Sequence, residues 1–91
     1  MTDFRNRKVL ITGADGFIGS HLVEALVRQG AQVRAFVRYN SRNDPGLLCL
    51  LPPEVLSQVE IIAGDLRDLP AITAAMRGVS HVFHLGALIA I

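Results

Sequence analysis

The chain has 91 residues, of which 51% are hydrophobic and 19% are charged, and its formal net charge is +1. This composition excludes a disordered tail and a coiled coil, and the near-neutral charge excludes the basic surface typical of nucleic-acid and anionic-membrane binders. The single cysteine excludes an internal disulfide framework, and no apolar run approaches the ~20 residues that span a bilayer. Because no signal-peptide pattern is present either, we expect a cytoplasmic protein with no nucleic-acid and no membrane partner.

The first strand and helix follow from a change of apolar period. Residues 9–12 are an apolar, β-branched run that stops at Gly13, which predicts a buried strand of a parallel sheet. Residues 17–29 have helical periodicity, and Gly30 follows where a helix commonly ends. The predicted buried face of this helix comprises Ile18, Leu22, Ala25 and Leu26, widened by Val23 and Val27.

Strands and helices alternate along the rest of the chain. Further strands are predicted at residues 32–38, 59–63 and 81–85, short helical turns at 47–51 and 54–57, and a helix at 70–77. Cys49, in the first of these turns, is expected to be a small core residue. Right-handed crossovers between such strands give a parallel sheet with helices on both faces. The predicted fold class is therefore α/β, a doubly wound parallel sheet, present here as a half-sheet.

The glycine turn, residues 12–19, has the sequence Thr-Gly-Ala-Asp-Gly-Phe-Ile-Gly between the first strand and the first helix. Gly13 permits a sharp turn, Gly16 lets the backbone approach a pyrophosphate, and Gly19 lets the helix pack closely. The helix N-terminus also offers unpaired N–H groups to phosphate. The spacing is one residue longer than G-x-G-x-x-G, so an ordinary tight turn is the alternative. Asp15 would repel a pyrophosphate and is expected instead to accept N–H groups at the helix start.

The end of the second strand bears on the choice of cofactor. Folds that prefer NAD usually place an acid there, but no acid occurs between Glu24 and Asp44. Arg38 occupies the strand end, and an arginine there would hold a 2′-phosphate, which favours NADP. The alternative is that Arg38 is only solvated, as we expect for Arg34. The missing acid also weakens a methyltransferase interpretation.

The third and fourth strands end in two further candidate sites. Asp65 could accept a hydrogen bond from an adenine amino group, or it could be a simple turn or cap aspartate. Leu85, Gly86 and Ala87 follow the fourth strand and leave room for a flat ring or a ribose. His84 is expected to be packed and hydrogen-bonded and not a catalyst. No metal-ligand cluster can be assembled from the sequence.

These motifs together resemble the N-terminal part of the extended short-chain dehydrogenase/reductase family, the NAD(P)-dependent sugar-nucleotide epimerases and dehydratases. The glycine turn is similar to the family's T-G-x-x-G-F-I-G motif, residues 64–66 to its adenine-side G-D-[LIV], and residues 84–87 to its H-x-A-A. Residues 36–41 resemble the V-R-R-x-S loop of GDP-mannose 4,6-dehydratase-like members, which use NADP. The cofactor-binding residues that this reading assigns are Gly13, Gly16, Phe17, Ile18, Gly19, Arg38, Asn40, Asp65, Leu66, Leu85, Gly86 and Ala87.

The resemblance implies NADP, with NAD as the alternative, and for the complete chain a nucleotide-sugar substrate and a homodimer. The family's catalytic Y-x-x-x-K is absent, because Tyr39 is the only tyrosine and Asn43 stands four places after it. We therefore expect residues 1–91 to be the N-terminal part of an NAD(P)-binding Rossmann domain, without its catalytic and substrate-binding parts. The alternatives are a non-catalytic NAD(P)-binding regulatory or sensor module, and an unrelated α/β unit that binds nothing.

Overall fold

The structure is a computed structural model that describes residues 4–38 and 46–85. One sheet of four parallel strands has the order β3-β2-β1-β4, with β1 at Lys8–Thr12, β2 at Gln32–Arg38, β3 at Val59–Gly64 and β4 at His81–His84. The helices are α1 at Phe17–Arg28, a 3₁₀ helix at Gly46–Leu50, α2 at Pro53–Leu56 and α3 at Leu69–Ala75. The predicted doubly wound α/β class is confirmed, and each predicted strand and helix is present.

The register of the sheet determines which strand ends lie together. Thr12, the last residue of β1, is opposite Phe36 of β2 and His84 of β4. Arg38, the last residue of β2, is opposite Gly64 of β3. Because the strands are parallel, their carboxyl ends lie along one edge of the sheet, called here the C-terminal edge.

The larger core lies between the sheet and the helices α1 and α2, together with the 3₁₀ helix. Side chains alternate along β1 and β2, so that every second residue faces this core. Its buried members are Val9, Ile11, Ala14, Val23, Leu26, Val27, Ala31, Val33, Ala35, Val37, Leu48 and Val55.

The buried face of α1 differs from the predicted one. Val23, Leu26 and Val27 are buried, but Ile18 is 64% exposed and Ala25 is also exposed. Gly19 and Ser20 are buried instead. The helix therefore approaches the glycine turn through its smallest side chains, which a count of apolar residues does not detect.

The second core lies between the opposite face of the sheet and α3. Leu10, Phe36 and Ala75 are buried there, with Ile62, Ile72 and Val79 packed against them. Phe36 fills the space above Gly64, where an added Cβ would lie 2.8 Å from Phe36 Cζ. Helices on both faces of the sheet therefore bury apolar side chains, as a doubly wound fold requires.

Arg34 corrects the expectation of a solvated arginine. Its side chain is only 17% exposed, and its Nε donates to Glu60 Oε1 at 3.1 Å. Its Nη1 donates to the carbonyl oxygens of Ala75 at 2.6 Å and Arg77 at 3.1 Å. Arg34 thus joins β2 and β3 to the C-terminal end of α3, because carbonyls at a helix end lack intrahelical partners.

Two further local expectations also change. Helix α3 begins at Leu69, one residue before the predicted start, because Asp68 is its N-cap and accepts the Ala71 N–H at 3.3 Å. Cys49 is exposed, whereas its neighbour Leu48 is fully buried, so the prediction of a core cysteine is wrong.

In the described ranges, no helix has the length and apolar character that crossing a bilayer would need.

Candidate functional site

The candidate site lies at the C-terminal edge, where β1 passes through the glycine turn into α1. Gly13 has a φ of +69°, a conformation that strongly favours glycine, and its carbonyl accepts the Gly16 N–H at 3.2 Å. Gly16 is the N-cap of α1, with an extended φ of −85° and ψ of 179°. Its carbonyl accepts the Ser20 N–H at 2.9 Å, which starts the helix. The turn therefore directs the N-terminus of α1 to this edge.

Gly16 and Gly19 have different physical roles. A Cβ at Gly19 would lie 2.2 Å from the Gly13 carbonyl oxygen and 2.8 Å from Ala14 Cα, so the helix could not pack at this distance with a larger residue. A Cβ at Gly16 would meet only the Gly13 oxygen, at an ordinary 3.6 Å. Gly19 is thus required by the protein itself, whereas the protein leaves open space beside Gly16.

The first turn of α1 has no side-chain cap. This corrects the expectation for Asp15, whose carboxylate does not cap the helix. Its backbone carbonyl accepts the Leu47 N–H at 3.0 Å. Phe17 and Ile18 are 70% and 64% exposed. The positive end of the helix dipole is therefore exposed beside Gly16, an environment that favours an anionic group.

Arg38 ends β2 with an exposed side chain, beside the end of β3. No acidic residue lies in β2, so nothing on this strand would repel a phosphate near Arg38. Asn40, the other residue predicted near this strand end, lies outside the described residues.

Asp65 follows β3 and is bound by Arg67 in a tight turn. Its Oδ1 accepts the Arg67 backbone N–H at 2.9 Å, and its Oδ2 accepts Arg67 Nη2 at 2.8 Å. These bonds, first those of the guanidinium, lower the pKa of Asp65 to about 2. Asp65 is therefore a turn aspartate, as one of the two predicted alternatives has it. Its carboxylate is charged and accepts hydrogen bonds. Leu66 beside it is 37% exposed.

The end of β4 is tied to the end of β1. The Leu85 N–H donates to the Thr12 carbonyl at 3.2 Å, and Thr12 Oγ1 hydrogen-bonds to His84 Nδ1 at 2.8 Å. His84 is hydrogen-bonded as expected but is exposed, so the prediction that it is packed is wrong. Half-buried Leu85 lies beside the glycine turn, while Gly86 and Ala87 lie outside the described residues.

Among the residues that the structure describes, the site contains groups that can bind a ligand, and none of them is assigned a catalytic role. Lys8 is the only lysine of the sequence and begins β1, about 13 Å from the C-terminal edge for a strand of this length. No group of three His, Cys, Asp or Glu that could hold a metal ion occurs among the residues that the structure describes. The geometry thus suits the binding of an anionic, nucleotide-like molecule.

One contact of the site could not be predicted from the sequence. Gly46, at the start of the 3₁₀ helix, lies against Asp15 of the glycine turn. A turn-rich composition predicts a loop near Gly46, but neither periodicity nor a motif indicates which surface that loop reaches.

Comparisons with known proteins relate the chain to one family. The family model described as GDP-mannose 4,6 dehydratase matches residues 10–91. The 3 beta-hydroxysteroid dehydrogenase/Delta 5→4-isomerase of Mycobacterium tuberculosis is 38% identical over 82 residues, which are 90% of this chain and 20% of that protein.

Two solved structures are similar in fold and sequence. A short-chain dehydrogenase/reductase superfamily protein of Agrobacterium tumefaciens with bound NAD has a TM-score of 0.63 and 35% identity, and the match covers 88% of this chain and 20% of that protein. MoeE5 in complex with UDP-glucuronic acid and NAD has a TM-score of 0.62 and 38% identity, and the match covers 86% of this chain and 22% of MoeE5. The chain spans about a fifth of the length of these relatives. Since the family match extends over most of its residues, the chain belongs to the GDP-mannose 4,6 dehydratase family.

Proposed function

We propose that the chain binds the dinucleotide NADP at the C-terminal edge, as the N-terminal part of the NAD(P)-binding Rossmann domain of a sugar-nucleotide epimerase or 4,6-dehydratase. The observation that carries the proposal is the accessible N-terminus of α1 beside Gly16, since its N–H groups and dipole favour a pyrophosphate. The NAD bound in both solved relatives supports a dinucleotide at this fold.

Each strand end has a proposed part in binding. The glycine turn holds the pyrophosphate, the end of β2 holds the 2′-phosphate, the end of β3 accepts from the adenine amino group, and the end of β4 borders the ribose. The residues proposed to form the cofactor site are Gly13, Gly16, Phe17, Ile18, Gly19, Arg38, Asn40, Asp65, Leu66, Leu85, Gly86 and Ala87, of which Gly19 acts by letting α1 pack against the turn. When bound, the nicotinamide supplies hydride transfer, while these residues bind and orient the cofactor.

The choice of NADP over NAD depends on Arg38. A charge-assisted bond to a 2′-phosphate contributes roughly 1.5–3 kcal/mol, which is about ten- to hundredfold in affinity. Both solved relatives named above contain NAD, so NAD is the alternative that the experiment must separate.

A nucleotide sugar is the proposed substrate class of the complete protein. It is supported by the UDP-glucuronic acid in the MoeE5 complex and by the family description. A steroid dehydrogenase among the relatives shows that the shared cofactor fold does not by itself determine the substrate. The regulatory-module alternative gains no support from these relatives.

The proposal is tested by calorimetric titration of the chain with NADP and NAD. We expect Gly16→Val to abolish binding of both, because a branched side chain occupies the space beside the helix N-terminus, while circular dichroism stays native since Cβ is tolerated there. Arg38→Ala is expected to remove most of the NADP preference but retain NAD binding. Unchanged affinity in a folded Gly16→Val chain would refute the pyrophosphate site, and equal affinities of the unmodified chain for NAD and NADP would refute the NADP assignment.

A further inference from the structure

The 3₁₀ helix contacts the glycine turn through Gly46 and Leu47. The Leu47 N–H donates to the Asp15 carbonyl at 3.0 Å. A Cβ at Gly46 would lie 2.8 Å from this same carbonyl oxygen and 2.9 Å from Asp15 Cβ. With a φ of +66°, Gly46 also has a conformation that L side chains rarely adopt. Both its conformation and its surroundings therefore require glycine.

The contact acts on one particular peptide group. The Asp15 carbonyl and the Gly16 N–H belong to the same planar unit. Its oxygen is held by Leu47, and its N–H donates to the Gly13 carbonyl at 3.2 Å. The Asp15–Gly16 peptide is thus fixed at both ends, and it leads into Gly16, the N-cap of α1. A tilt of this peptide therefore shifts the N-cap from which the first helical turn starts.

The 3₁₀ helix is a firm support for this contact. Leu48, next to Leu47, is fully buried in the larger core. In sequence, seven residues (39–45) separate Gly46 from Arg38. The element that follows the proposed 2′-phosphate site therefore returns to the glycine turn and is anchored in the core beside it.

We propose that Gly46 is a positioning residue of the cofactor site, which holds the Asp15–Gly16 peptide so that the N-terminus of α1 faces the pyrophosphate. This inference rests on the proposed function. A side chain at Gly46 displaces Asp15 and tilts this peptide, so it weakens the pyrophosphate contacts that NAD and NADP share. The contact made by Arg38 is separate, so the ratio of the two affinities does not change.

The test compares Gly46→Ala with Gly78→Ala, a matched control. Gly78 has a similar φ of +77°, but a Cβ there would meet nothing nearer than Lys8 Nζ at 3.7 Å, far from the site. Both variants therefore carry the strain of a left-handed alanine, and only Gly46→Ala presses on Asp15. Calorimetric titration with NADP and NAD is combined with thermal unfolding of each variant.

We expect Gly46→Ala to weaken binding of NADP and NAD by the same factor, roughly tenfold to a hundredfold as for the loss of one charge-assisted hydrogen bond, and Gly78→Ala to bind like the unmodified chain. If Gly46→Ala does not fold, the Asn variants at both positions replace the Ala variants, because Asn adopts positive φ more readily and still carries Cβ. Equal affinities of the two variants, or a changed NADP/NAD ratio in Gly46→Ala, overturn this inference alone. Failure of the unmodified chain to bind either dinucleotide overturns the proposed function as well.

Discussion

Asp65 and Arg67 form a short-range ion pair at the end of β3, with four hydrogen bonds between two residues that are neighbours in the turn. Both side chains are largely exposed, so the pair adds little to the stability of the fold. Its effect is on protonation and orientation. A carboxylate held in the charged form can only accept hydrogen bonds, which suits the adenine amino group proposed as its partner.

The lowered pKa of Asp65 gives a direct prediction. Since the pKa in the folded chain is about 2, below the ordinary 3.8, the pair's small stabilisation is complete above pH 4 and is lost as the pH falls through 2. We expect Arg67→Ala to raise the Asp65 pKa towards 3.8, because it removes the guanidinium bonds that lower this pKa most, while the backbone N–H of residue 67 remains as a donor. An NMR titration of the Asp65 carboxyl measures the change in its pKa. Arg77→Ala is the control variant, because it removes an arginine but keeps the Asp65–Arg67 pair. A midpoint near 3.8 in the unmodified chain would contradict the pairing.

At the scale of elements, α1 is positioned by glycine as much as by its apolar face. Alanine normally stabilises a helix interior relative to glycine by about 1 kcal/mol. At Gly19 the sign is reversed, because the added Cβ overlaps the backbone of Gly13 and Ala14. The overlap involves backbone on both sides, so neither partner can rotate away.

We therefore expect Gly19→Ala to lower the free energy of unfolding by about 3 kcal/mol, the upper part of the range for overpacked sites. Gly16→Ala is the matched control, since its Cβ meets an ordinary contact distance, and it should change stability by less than about 1 kcal/mol. Urea unfolding followed by circular dichroism measures both. A Gly19→Ala chain as stable as the unmodified one would show that the helix can move away from the turn at little cost.

The elements themselves could be predicted from the sequence because the apolar runs have sharp ends. All four strands begin and end within one residue of their predicted limits: β2 matches them, β1 begins one residue early, β3 ends one residue late and β4 ends one residue early. What the sequence could not reveal depends on contacts between distant residues: the burial of Arg34 against α3, and the approach of Gly46 to Asp15. The glycine turn could be recognised because its pattern lies in neighbouring residues, whereas these contacts join positions about 30 to 40 residues apart.

At the scale of the whole molecule, β3 and β4 are the outer strands of the described sheet. Each therefore presents backbone N–H and C=O groups that no neighbouring strand within the described ranges pairs. Apolar side chains accompany them, since Ile61 of β3 is 39% exposed and Val82 of β4 is 43% exposed. Relatives about five times longer have further chain available to cover such edges.

A polypeptide of these 91 residues should consequently associate with itself. A chain of this size buries only about 60–65% of its unfolded surface, so its folded state is marginal and gains from covering an apolar edge. We expect sedimentation velocity to show a mean mass that rises with concentration, and Val82→Lys to reduce that rise, because a charged edge residue opposes strand pairing. Thr73→Lys, at an exposed position of α3, is the control that adds the same charge away from β4 and should leave association unchanged. A monomer at every concentration would show that the outer strands are already protected, and an equal effect of both lysines would assign the association to net charge and not to the edge.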